Sequence, residues 1–158
     1  NFVVIDAGQQ DVPPLLFLAL RFLVVCVPAV FFLRSPGIGW RQLLLVGGFL
    51  SLGQFALLYL ALAFGMPPGL ASLLLQTQVM FSLVVAALVL RERPSRRQLA
   101  GVVIGMTGLA LVIAGHTQAA PLLPLVVTLG AALSWSIGNV LARRAQASSG
   151  LSLVVWSG

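Results

Sequence analysis

The sequence has no lysine, and only three of its 158 residues are acidic. Charged residues make up 8% of the chain, against roughly a quarter in a soluble domain. With 59% apolar residues and a mean hydropathy of +1.08, no folded globule of this size could hide its apolar surface from water. A soluble enzyme, a nucleic-acid module and a disordered tail are excluded together. The single cysteine, Cys26, excludes a disulfide scaffold and any CxxC metal or redox motif. His116 is a lone loop histidine without the partners a metal site needs. The glycine clusters lack the GxxxxGK[ST] spacing of an ATP-binding loop. No metal, cofactor or nucleic-acid partner is therefore expected. Asp6, Asp11 and Glu92 are the only carboxylates, and none falls deep in an apolar run. An intramembrane enzyme would need a cluster such as paired Asp, His-Glu or Ser-Lys, so catalysis is not expected. What remains is a chain built for lipid.

A bilayer core needs about 20 apolar residues per helix. Five uncharged or nearly uncharged runs meet that length: 13–33, 42–64, 67–90, 98–115 and 122–142. Transmembrane strands would alternate strictly over about ten residues, and no such alternation exists. The sequence thus predicts an all-α integral membrane helical bundle. Ahead of these runs lies Asn1-Phe2-Val3-Val4-Ile5, too short to span and lacking the basic flank and cleavage site of a signal peptide. Behind them Leu151–Trp156 opens another apolar run. The expectation is five complete transmembrane helices plus two truncated ones.

Arginine placement orients them. Counting the truncated opening as the first span, the six successive turns carry 0, 2, 0, 4, 0 and 2 arginines. Short basic loops stay in the cytoplasm, which places 34–41, 91–97 and 143–150 inside. The sixth span then runs opposite to the first, so a five-helix repeat would be inverted. Asn1-Phe2-Val3-Val4 faintly echoes Asn139-Val140-Leu141-Ala142. Inverted repeats are a recurring plan of secondary transporters, with substrate held near the midplane between them.

Five polar residues at depth are candidates for that site. Arg21 lies ~3 Å from the middle of its span. An arginine there costs roughly 2.5–3.5 kcal/mol and needs a partner. It either grips a substrate carboxylate bidentately or bonds a backbone carbonyl, or it snorkels outward along its stem. Gln54 sits near mid-span, about 60° from Ser51 on one face. Ser72 and Gln76 share a face as an i,i+4 pair, while Gln78 points about 160° away from Gln76. These amides either line a polar cavity or hydrogen-bond neighbouring helices, a device worth about 0.6 kcal/mol each. Gln76 is preferred over Gln78 for the path. Trp135 and Asn139 are i,i+4 in the sixth span, where the ring lines a path or simply packs. Other features are expected to be structural. Gly101, Gly105 and Gly108 form a small-residue seam for close helix approach. Pro28 predicts a kink, and Pro67-Pro68 starts a helix. Tyr59 is expected in an outer aromatic belt, and Glu92 as a partner of the arginines around it.

Five stretches carry a resemblance. They are Asn1–Ile5; Pro13-Pro14 leading to Leu20-Arg21-Phe22; Gly65-Met66-Pro67-Pro68-Gly69-Leu70-Ala71-Ser72; Leu90-Arg91-Glu92-Arg93 before Gln98-Leu99-Ala100-Gly101; and Ser134-Trp135-Ser136-Ile137-Gly138-Asn139-Val140. In this order and spacing the chain resembles the EamA family of the drug/metabolite transporter superfamily, above all its bacterial O-acetylserine/cysteine exporters. One departure is Asp6, where family members often carry a basic residue. The resemblance implies ten helices in two inverted repeats. Residues 1–118 would form the first repeat and 119–158 the start of the second, whose remainder would be a structural partner.

The implied function is a secondary transporter in the bacterial inner membrane. It would export a small metabolite, an amino acid such as cysteine or O-acetylserine, by alternating access. With no carboxylate deep in the membrane, facilitated efflux is expected, or coupling through groups elsewhere. A broad drug/metabolite exporter is the alternative, although it would be expected to show a larger aromatic, acidic pocket. A non-transporting membrane scaffold would predict no transport phenotype for mid-membrane polar substitutions.

Overall fold

A computed structural model describes residues 13–32, 37–115, 122–145 and 150–157. Among these residues every regular element is helical. The helices are α1 (Pro14–Phe32), α2 (Trp40–Gly47), α3 (Gln54–Ala63), α4 (Pro68–Leu75), α5 (Gln78–Val89), α6 (Arg96–Gly115), α7 (Leu122–Ala145) and α8 (Gly150–Ser157). A π-helical segment, Gly48–Gly53, joins α2 to α3 without a turn. Three described stretches are long and apolar enough to cross a membrane: Trp40–Ala63, Pro68–Val89 and Leu122–Ala145. At 24 residues the first and last reach about 36 Å, more than the ~30 Å hydrocarbon core. Large apolar side chains cover the outside, among them Phe31, Leu88, Ile104 and Leu122, as lipid contact demands.

The helices overrun the uncharged runs at several ends. α6 begins at Arg96, and α7 continues through Arg143 and Arg144 to Ala145. Arginine is a good helix former, and cations in a last turn complement the helix dipole. The two arginines opening α6 oppose that dipole, but a capping box compensates. The Ser95 N–H donates to Gln98 Oε1 at 2.8 Å, and the Gln98 N–H donates to Ser95 Oγ at 3.3 Å. α1 is continuous through Pro28.

The hairpin between α3 and α4 follows from Gly65, Met66, Pro67 and Pro68. Gly65 takes φ +86°, which a side chain would oppose. Its N–H bonds the Leu62 carbonyl and that of Met66 bonds Ala61, closing a Schellman motif. Met66 folds back, buried, and Pro67 and Pro68 open α4 where their missing N–H groups cost little.

α7 is the axis of the bundle. It packs against α2, the π segment, α3, α4 and α5, while α1 lies on α3 and α8 on α2. Ala131, Ala132, Thr128 and Ser136 are fully buried along it. Gly53 and Ser134 abut so closely that a Cβ on Gly53 would collide with the Ser134 hydroxyl. A Cβ on Gly138 would lie 2.7 Å from the Leu50 backbone nitrogen. Ser134 and Gly138 therefore bring two backbones together, as small residues four apart do, while a Cβ on Gly130 would meet only the Leu57 side chain, at 3.6 Å.

Three expectations are corrected here. Among the described residues nothing lies within 4 Å of a Cβ built on Gly101, Gly105 or Gly108. Spacing shows that a helix can approach a neighbour, not that it does. Tyr59 is fully buried rather than in an outer belt, its ring 5.9 Å from that of Phe17. Its place on α3 turns it toward α1 and the core. Glu92 pairs with Arg143, 51 residues away, and not with the arginines beside it. The end of α7 lies closer to its carboxylate than the diverging side chains of its own turn.

Candidate functional site

The two spans that carry the candidate glutamines are both irregular at mid-depth. In the first, glycines at 47, 48 and 53 lower the preference for a regular α-helix. There the Gln54 N–H bonds the Phe49 carbonyl five residues back, and Ser134 Oγ donates to the same carbonyl at 2.7 Å. A hydroxyl from α7 is thus seated in the widened turn. Such insertions and π-bulges recur where a helix is bent for a purpose. Ser51 lies within the widened turn and Gln54 closes it, and both are buried.

In the second, the run predicted as one helix is divided at Gln76-Thr77. The N–H groups of Gln76, Thr77 and Val79 bond carbonyls three residues back instead of four, at 3.0–3.1 Å. Thr77 Oγ1 donates to the Leu74 carbonyl at 2.7 Å, competing with the regular ladder. A tightened turn therefore sits between α4 and α5. Irregular backbone at membrane depth is tolerated where it is buried in protein or lines a water-filled cavity. Thr77 is buried, whereas Gln76 is exposed and lines a cavity of about 240 Å³ with Met80, Gly105, Met106 and Leu109.

The five sequence candidates are distributed as follows. Gln54 is buried beneath the π segment, and Gln76 faces the cavity between α5 and α6. Trp135 packs half-buried against the core on α7, with Asn139 half-buried one turn on. Arg21 lies on α1, but its side chain is outside what the structure describes. Asn1, Asp6, Asp11, Arg34 and His116 also lie outside the described residues, as does the truncated first span. Gln54 and Gln76 do not line a common cavity among those described. The Ser72 hydroxyl, which shares a face with Gln76 in sequence, is bonded to the Gly69 carbonyl at 2.7 Å.

Sequence reasoning missed three features near these candidates: the π segment, the turn at 76–77 and Ser136. The Ser136 hydroxyl is fully buried without a hydrogen-bond partner among the described residues. The triple Gln76-Thr77-Gln78 in an apolar run was the available signal for the turn, and Gly47-Gly48 with Gly53 for the π segment. Nothing in the sequence marks Ser136 apart from Ser134.

At one end of the bundle the basic turns meet. Glu92 and Arg143 join the α5–α6 turn to the end of α7 through a 3.1 Å ion pair, exposed by half or more on both sides. Gln42, Leu45 and Val46 of α2 share a cavity with Leu141, Arg144 and Ala145 of α7. Arg41, 5.7 Å from the Trp40 ring centre, stands at the same end. No group of His, Cys, Asp or Glu that could hold a metal exists among the described residues.

Comparison with known proteins agrees with this architecture. The profile of the EamA-like transporter family matches residues 1–114. A Salmonella typhimurium protein named "probable amino-acid metabolite efflux pump" is 43% identical over 99% of this chain and 54% of its own length. A protein of the same name from Escherichia coli is 40% identical over the same shares. Protein PecM of Dickeya dadantii is 27% identical over 92% of this chain and 49% of its own. The chain spans about half the length of the curated relatives it matches. No solved structure matches the chain significantly. On these grounds the chain belongs to the EamA-like transporter family of membrane proteins.

Proposed function

We propose that this chain is part of a secondary transporter that exports a small amino-acid metabolite, of the cysteine or O-acetylserine class, by alternating access. The observation that carries the proposal is the tightened turn at Gln76-Thr77, with an exposed amide at mid-depth beside a cavity. Discontinuous transmembrane helices of this kind supply polar groups to midplane substrate sites. Two relatives named as amino-acid metabolite efflux pumps match nearly all of the chain and support the substrate class. Gln76 offers both a donor and acceptors, which suits the amine and carboxylate of one small substrate. Gln54, Trp135, Asn139 and Arg21 complete the proposed site. Two inverted five-helix repeats, with residues 1–118 as the first and 119–158 opening the second, would rock around it. The shared basic end, at 34–41, 91–97 and 143–150, is assigned to the cytoplasm of an inner-membrane protein.

The test is efflux of labelled cysteine and O-acetylserine from cells overproducing the intact protein, beside Gln76→Ala and Arg21→Ala. Export by the wild type and its loss in the variants at equal membrane abundance is the expected result. No export of either compound by well-inserted wild type would sink the substrate assignment.

A further inference from the structure

α6 stands off from the rest of the bundle. Among the described residues Leu109 is the one side chain of α6 that packs against the core. Toward its arginine-bearing start the gap to α5 widens, from the cavity of about 240 Å³ beside Gln76 to one of about 510 Å³. The larger cavity has two unlike walls. Val79, Leu83, Ala86 and Val102 form an apolar floor, with Gly101 leaving room above it. Arg93, Glu92 and Arg143 form a charged rim.

The rim is unbalanced. Glu92 is already paired with Arg143, and Arg93 has no carboxylate partner among the described residues. Four arginines, at 91, 93, 96 and 97, share the turn of Glu92 and the start of α6, and Arg143 and Arg144 close α7, against that one glutamate in sequence. A soluble anion would match the arginines but leave the apolar floor unused. An acyl chain alone would match the floor and leave the rim unused. Basic pockets between transmembrane helices on the cytoplasmic side suit anionic lipid headgroups, and a volume of this size suits a small-molecule site.

We propose that an anionic phospholipid docks in the larger cavity between α5 and α6. Its phosphate meets Arg93, and its acyl chains leave past Gly101 and Val102 to the bilayer. Val79, Gly101 and Val102 also line the cavity beside Gln76, so the chains run along that side while the phosphate stays at the arginine end. It fills the side of the bundle where α6 has little else to hold it.

The test uses the intact protein, stripped of lipid in detergent and offered dioleoyl phosphatidylglycerol or dioleoyl phosphatidylcholine, with bound lipid counted by native mass spectrometry. Preferential retention of phosphatidylglycerol is expected, unaffected by millimolar inorganic phosphate. Arg93→Gln should reduce it about fivefold, as expected for one arginine near an anionic surface. Gly101→Leu should reduce it by filling the cavity, and Glu92→Gln should raise it by releasing Arg143. Arg41→Gln, at the same end but away from the cavity, should leave it unchanged. Equal retention of the two lipids, or full retention by Arg93→Gln, would overturn the proposal. Displacement by inorganic phosphate alone would do so as well. Loss of folding in Gly101→Leu with lipid retention unchanged in Arg93→Gln would mean that a protein segment covers this groove instead. None of these outcomes depends on export, so the proposal fails or stands apart from the transport assignment.

Discussion

α6 and α7 both carry small residues at helical spacing, and they meet opposite fates. In α7 the residues at 134 and 138 bring its backbone against the π segment, with a Cβ excluded at Gly138. In α6 a Cβ at Gly101, Gly105 or Gly108 would meet nothing within 4 Å among the described residues. The spacing is the same kind of signal in both helices. What differs is the partner: α7 meets a helix that is itself widened, so that Phe49 offers a carbonyl to the Ser134 hydroxyl. Small residues permit close approach, and a complementary polar contact fixes it.

Substitution should separate the two helices. The largest effect is expected from Gly138→Ala, whose new methyl must displace the Leu50 backbone. We expect a loss of about 3 kcal/mol, read as earlier thermal unfolding of the detergent-solubilised protein. Ser134→Ala keeps the close approach but removes one hydrogen bond, so a loss of about 1 kcal/mol is expected in the same measurement. Gly105→Ala should do the reverse. With open space for its methyl and better helix propensity, it should stabilise α6 by about 0.5–1 kcal/mol. A destabilised Gly105→Ala would mean that α6 packs as closely as α7 does, and the contrast between them would fall.

Much of this fold was legible from apolar run length. The runs at 42–64, 67–90 and 122–142 each correspond to a described helical stretch long and apolar enough to cross a membrane, although the second is interrupted at Gln76-Thr77. Gly65 with Pro67-Pro68 announced the hairpin, because backbone chemistry at such positions is local. The arginine pattern, too, matches the meeting of the basic turns at one end, where Glu92 and Arg143 join. What was not legible depends on neighbours. The π segment exists together with a serine 85 residues away that bonds its widened turn. Tyr59 reads as amphipathic in sequence, and only the packing of α1 against α3 buries it. The glycine seam of α6 had the right spacing and no partner among the described residues. For the site, residue type and depth singled out Gln54 and Gln76, but only the break at Gln76-Thr77 shows which amide meets a cavity.

We propose that the two irregular spans do different work: the one at Ser134 holds the bundle together, and the one at Gln76 meets the substrate. The most direct test is export per molecule of membrane-inserted protein, measured for Gln76→Ala and Ser134→Ala side by side. We predict that Gln76→Ala lowers export per molecule about tenfold or more, the cost of losing a hydrogen bond to a charged group, with abundance unchanged. Ser134→Ala should lower abundance and leave export per molecule intact. Undiminished export by Gln76→Ala, or a specific transport defect in Ser134→Ala, would contradict the account.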